Sequence, residues 1–520
     1  MNDGHKPRRA QAKLLLVLLA ILAIKTIFLV ADSRPAYFFG DSESYLGTAT
    51  IKYIPPDRSF LYGLFLRRVA FHAHSLQAMV DTQVLLSAFA AWLLSITLVR
   101  FFSIPLGIAA FFGLLCAVEP LQLLMERYVM TETLATFAFA VHFAFLLAYV
   151  CRESIWTLLS AQAFGVLLIT FRISFLPEVL VNSVLAPLLT QNGASVLRAV
   201  GAKLKRRAVP VPPPQIGLLA AHLALSLVVS QGLLTAYKNW NGRLSHREPA
   251  LLYSSGAFLL SDLSPLVEPQ DFPVPEYRKA IFDNLHVDTH DLLMRPAQHF
   301  MVGGLWFNIQ KAFPNPREAD RVATATAMHA LLRQPGGAIR LALQTFALYF
   351  HPRMLKHWLL IDEGYGNRMS PNTRNWLHRV YGVSNPKEFE PSVSKAWHMT
   401  AFPWYWMVLC TLAASPLLPC FSRGPQKRLT TVCAVTALLF LAGATVLVDR
   451  PTPRFLTTDA WLALLILGIG AGALAHHFRP SSFKISSRFS SKRGASRSIA
   501  PGVRLKPTGM DTVRISPSEG

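Results

Sequence analysis

The chain has 520 residues, 52% of them hydrophobic and only 15% charged, with a formal net charge of +22. Soluble domains carry roughly 25% charged residues, so this composition excludes an ordinary globular protein. The positive charge sits in clusters between apolar runs: HKPRRAQAK at 5–13, KLKRR at 203–207, SRGPQKR at 422–428 and the C-terminal tail. That placement fits anionic membrane lipid as the electrostatic partner and speaks against nucleic acid.

Crossing a bilayer takes about 20 mostly apolar residues. The sequence predicts an all-α polytopic membrane protein of about ten transmembrane helices, near 12–31, 79–99, 103–118, 131–150, 155–171, 174–190, 216–236, 401–420, 429–447 and 456–476. The first run, Leu14 to Ala31, is too long for a signal-peptide core and reads as a retained anchor. With the N-terminus cytoplasmic, every basic cluster falls on the cytoplasmic side, and both termini lie there.

Residues 1–236 then form an N-terminal transmembrane module with an external loop at 32–78. Residues 237–398 form a mostly helical external subdomain, 399–478 the C-terminal helices, and 479–520 a basic tail too poor in large apolar residues to fold. VPVPPPQ at 209–215 reads as a stiff linker. Within the subdomain, NPRE at 315–318 starts a helix, with Asn315 as cap and Pro316 first, which Pro335-Gly336-Gly337 stops. The segment 338–361, broken by Pro352 and followed by cations, suits a helix lying in the interface better than a span.

Cys116, Cys151, Cys410, Cys420 and Cys433 form no CxxC pair, and the large external loop has no cysteine. Neither a zinc site nor a disulfide framework is expected. His72 and His74 alternate and share no helix face, and the other histidines are scattered.

FFGDSESYL, 38–46, places acids where the chain leaves the first span. One reading is local: Asp41 or Ser42 caps a short helix, Glu43 favours its N-terminal dipole and Tyr45 anchors at the interface. The other makes Asp41 a general base, its pKa raised by desolvation among aromatics. Nine cations face outward, against the positive-inside trend: Arg58, Arg67, Arg68, Arg127, Lys238, Arg243, Arg353, Lys356 and Arg454. Each alone reads as a solvated or snorkelling cation; together they suit a phosphate, with Arg58 and Arg454 the favoured candidates. Arg172, inside an apolar stretch, reads as the turn between the fifth and sixth spans, with Glu178 a possible partner. Lys25, the one mid-span charge singled out, reads as able to snorkel.

Four further stretches bear on the reading: ERYVMTETLATF at 126–137, AFGVLLITFRISFL at 163–176, the Pro-containing segment before the eighth span, and DRPTPRFLTTDAWLALL at 449–465. Together with a first external loop that opens with an acid, a spacer and Tyr, they resemble the GT-C membrane glycosyltransferases, among them the protein O-mannosyltransferases and the lipid A aminoarabinose transferase. The resemblance implies a bacterial inner-membrane enzyme that uses a polyprenyl-phosphate sugar as donor and inverts the anomeric centre. The acceptor would be an envelope glycan, a lipid or a protein. It implies Asp41 as base, with Glu132 and Glu43 as further acids, and Tyr45, Arg58, Arg172 and Arg454 toward the substrate. Relatives often have adjacent acids where this chain has Asp41-Ser42-Glu43, so which acid is the base stays open. Some members use a divalent cation and others do not. The rival readings are a transporter or flippase of lipid-linked sugars, which would place ionisable groups near mid-bilayer, and a non-catalytic scaffold.

Overall fold

The computed structural model describes residues 5–38, 40–204, 213–365, 369–383 and 390–477. Most of the KLKRR cluster, the first part of the 209–215 linker and the 479–520 tail lie outside the described residues. The chain through Ala473 is one compact unit; the second unit, from Leu474, is described only to His477, where the last helix ends. Regular structure among the described residues is helical, apart from one parallel bridge between Ala36 and Tyr128.

All ten expected spans are helical, but they are not equivalent. Seven helices are long and apolar enough to cross a membrane: Gln11–Ala31, Gln77–Phe102, Glu132–Arg152, Gln215–Ser245, Phe402–Phe421, Pro425–Thr445 and Pro453–His477. The sixth expected span is a bent pair, Ile173–Leu189 and Gln191–Ala202, turned by 78°. The third and fifth are the shorter helices Leu106–Ala117 and Ile155–Phe171. At a rise of about 1.5 Å per residue these reach about 18 and 26 Å, less than a hydrocarbon core of about 30 Å.

The helices close on one apolar core in which Phe139 packs against Phe440 and Trp461, at ring centroids of 4.8 and 5.7 Å. Small residues let backbones approach: a Cβ on Gly113 would lie 2.0 Å from Ser95 Oγ. A second cluster wraps the first loop, joining Tyr37, Phe38, Tyr45 and Leu46 to Met79, Val80 and Val129. Tyr45 is 6% exposed and edge-on to Tyr62, so it is a packed residue and not an interface anchor.

The 237–398 segment builds a third cluster from Ala257 to Leu341. Asn315 caps helix Pro316–Arg333, accepting from Arg317 N–H at 3.0 Å. Pro335 both follows that helix and opens the next, Pro335–Tyr349; Pro352 opens another, Pro352–Asp362. The five cysteines are free thiols.

Two charges differ from expectation. Lys25 does not snorkel: it is 1% exposed and paired with Glu126. Arg127 is not a surface cation but is 2% exposed, bonded to Glu126 Oε2 at 2.5 Å and to the Asp32 and Leu123 carbonyls. A buried charge needs such partners, and each supplies the other's.

Candidate active site

Helix Asp41–Ile51 is entered through Gly40 at φ 74°, a conformation that residues with a side chain rarely adopt. No side chain caps this helix, so the Asp41 carboxylate is not spent on its own turn and the capping reading fails for it. Ser42 instead ties the entry down, accepting from Phe38 N–H at 2.8 Å and donating to the Val129 carbonyl at 3.1 Å. The Ala36–Tyr128 bridge runs beside this contact, through Ala36 N–H to Arg127 O at 2.8 Å and Val129 N–H to Ala36 O at 3.0 Å. Asp41 is thereby placed next to Glu132, the first residue of helix Glu132–Arg152.

Two more segments end at the same place. Helix Ile155–Phe171 stops at Arg172, whose backbone turns extended. The 3-10 turn Pro453–Leu456 carries Arg454 just before the last helix. Arg454 Nη1 lies 3.3 Å from Asp41 Oδ2 and its Nε 3.9 Å from Glu132 Oε1. Arg172 Nη1 lies 3.4 Å from the same Glu132 oxygen. Arg58 pairs with Asp41 Oδ1 and, at 2.6 Å, with Asp57. Phe38 lies 4.2 Å from the Arg454 guanidinium, and Phe455 lies 5.3 Å from Arg454 and 5.5 Å from Arg172.

Asp41, Tyr45, Arg58, Glu132, Arg172 and Arg454 thus line one cavity of about 550 Å³. Glu43 does not: it is absent from the cavity wall, and its Oε1 is buried without a hydrogen-bond partner among the described residues. On a helix, residues two apart point to different sides, so Asp41 and Glu43 cannot share the opening. Glu178 is not the partner of Arg172; it sits 3.5 Å from His142 Nε2 and accepts from Asn182 Nδ2 at 2.6 Å.

The electrostatics correct a further expectation. Burial pushes the Asp41 pKa up, but the Arg58 and Arg454 guanidiniums outweigh it and hold the carboxyl below its ordinary value. Burial likewise pushes the Arg58 pKa down, and Asp41 and Asp57 reverse this, so it rises. Asp41 is a firmly ionised carboxylate, not the proton-hungry one that aromatic desolvation alone would make.

Asp362 is a contributor that the sequence reading missed. Asp362, 1% exposed, accepts from Arg454 N–H at 3.1 Å and from the Thr452 hydroxyl, fixing the turn that carries Arg454. Asp262, Asp449, Arg450 and Phe455 also line the cavity. Asp362 closes the amphipathic Pro352–Asp362 helix, and only the fold shows that its bond reaches a turn 90 residues on.

The donor set does not fit a divalent cation. Such ions take several converging oxygens, whereas each carboxylate at this end of the cavity faces a guanidinium. No group of three His, Cys, Asp or Glu among the described residues converges to hold a metal.

Compared with known protein families and with curated proteins, the chain matches none.

Proposed function

We propose that the chain is an integral membrane glycosyltransferase of GT-C type, moving a sugar from a polyprenyl phosphate to an acceptor hydroxyl at the external face of a bacterial inner membrane. In this reading it spans the membrane ten times, the two short helices and the bent pair included, with both termini cytoplasmic. One observation carries the reading: two carboxylates and three guanidiniums from separate segments meet in one cavity at the ends of apolar helices. That is the equipment for a lipid-borne phosphate leaving group meeting a hydroxyl from water.

Asp41 takes the acceptor proton as the acceptor oxygen bonds to the anomeric carbon. The bond from that carbon to the phosphate oxygen breaks, and its electron pair leaves with the polyprenyl phosphate. Arg454 and Arg58 meet the charge that develops there. Their present hold on Asp41 gives the site an order of events: a donor phosphate that draws the two guanidiniums away raises the proton affinity of Asp41 once the leaving group is in place. Glu132, held by Arg172 and near Arg454, orients the acceptor.

A transporter or flippase of lipid-linked sugars is the second reading, favoured by the His142–Glu178 pair buried inside the helix bundle. Purified protein in nanodiscs and liposomes, given a panel of polyprenyl-phosphate sugars and candidate acceptors, separates the two. Sugar transfer without net lipid translocation is expected; translocation without transfer would favour the transporter.

A further inference from the structure

The cavity has lining residues that the reaction above does not use. Helix Ser255–Asp262 of the large 237–398 segment turns one side into the third hydrophobic cluster, through Ala257 and Leu260. Its opposite side, Ser255, Phe258 and Asp262, lines the cavity at the i, i+3, i+7 spacing of one helical face.

Asp262 costs the fold something. It is 8% exposed, and among the described residues its carboxyl has no hydrogen bond or ion pair. Arg295 is close enough for its charge to act on Asp262, but its hydrogen bonds go elsewhere, to the Val448 carbonyl at 2.8 Å, Thr345 Oγ1 at 3.2 Å and the Leu292 carbonyl at 3.1 Å. The acid also ends its helix, where a negative charge opposes the dipole, and it neighbours a second acid, Asp449. A buried acid without a hydrogen-bond partner among the described residues that faces a cavity is placed for a ligand.

We propose that Asp262, with Asp449 and the rings of Phe258 and Phe300, forms a subsite for the acceptor and that this acceptor is a carbohydrate. The inference rests on the transferase reading and narrows its acceptor from glycan, lipid or protein to a glycan. Carboxyl groups match sugar hydroxyls as donors and acceptors, and aromatic faces cover the apolar face of a pyranose. Burial, and then the Asp449 charge, push the Asp262 pKa well above the ordinary value. Both influences disfavour the charged form of the carboxyl, which suits a hydroxyl partner.

The test is equilibrium binding of short neutral oligosaccharides built from hexoses and N-acetylhexosamines to the purified full-length protein in nanodiscs, with a Ser/Thr-rich peptide as comparison. The wild type should bind at least one oligosaccharide and not the peptide. Asp262→Ala should weaken that binding by about tenfold or more, the usual effect of losing one buried hydrogen-bonding partner. Asp262→Asn guards against misfolding: it keeps the size of the side chain, so it should weaken binding while the protein still unfolds in one cooperative transition. No oligosaccharide bound by the wild type, equal binding by the Ala variant, or peptide binding that depends on Asp262 would each overturn the proposal. The measurement needs no donor, so it stands whether or not sugar transfer is seen. Intact, Asp262-dependent sugar binding without transfer from any donor counts against the transferase reading alone.

Discussion

Asp41 is set between Arg58 and Arg454, and its ordinary structural use, capping its own helix, is unused. The lowered pKa has a consequence for stability that can be signed. A carboxyl whose folded pKa is depressed stabilises the fold above its unfolded pKa, about 4, and that contribution is lost as pH falls through the folded value. The melting temperature of the wild type should therefore fall below about pH 4 more steeply than that of Asp41→Asn, which has no proton to gain there. Parallel acid profiles for the two proteins would mean that the guanidiniums do not act on Asp41. The same pair of cations explains why the reading of Asp41 from its aromatic neighbours had the wrong sign. Desolvation by Phe38 is visible beside Asp41 in the sequence, whereas Arg454 stands 413 residues away.

At the scale of the element, the turn 452–454 is the piece whose position matters most, and Asp362 holds it through Thr452 and the Arg454 backbone. Asp362→Asn keeps the volume and one acceptor oxygen but weakens both bonds. Transfer by this variant should fall about tenfold or more, with Arg454 still present. A variant that is folded and as active as wild type would remove Asp362 as a positioning residue. The elements themselves were legible where physics acts locally. Apolar runs mark the helices, and a charge such as Arg172 in an apolar stretch has to sit at an end or find a partner. Arg172 and Arg454 could be picked out from their places at the edges of apolar stretches, Asp41 from the acidic motif that follows the first span, and Glu132 only through the family resemblance. What stayed hidden was pairing across the chain: Lys25 with Glu126, Glu178 with His142 in place of Arg172, and Asp362 with a turn in another segment. Two of the expected spans, Leu106–Ala117 and Ile155–Phe171, are apolar but short.

For the whole molecule, the proposed orientation follows from basic clusters that alternate with helices, and it can be checked without any substrate. Reporter fusions at Gly424 and Gly502 should give cytoplasmic signals and one at Asn284 an external signal; an external signal at Gly502 would break the ten-span arrangement. That arrangement matters because it puts the Asp41 cavity at the outer membrane face, where a lipid-borne sugar and a water-borne hydroxyl can meet. The central claim, that Asp41 is the base of a sugar transfer there, is tested most directly by the transfer rate of purified Asp41→Asn against wild type with the same polyprenyl-phosphate donor. The substitution keeps the shape of the side chain and removes only the proton acceptor, so turnover should fall by roughly a hundredfold or more. Well-folded Asp41→Asn protein that transfers sugar at the wild-type rate would contradict the claim.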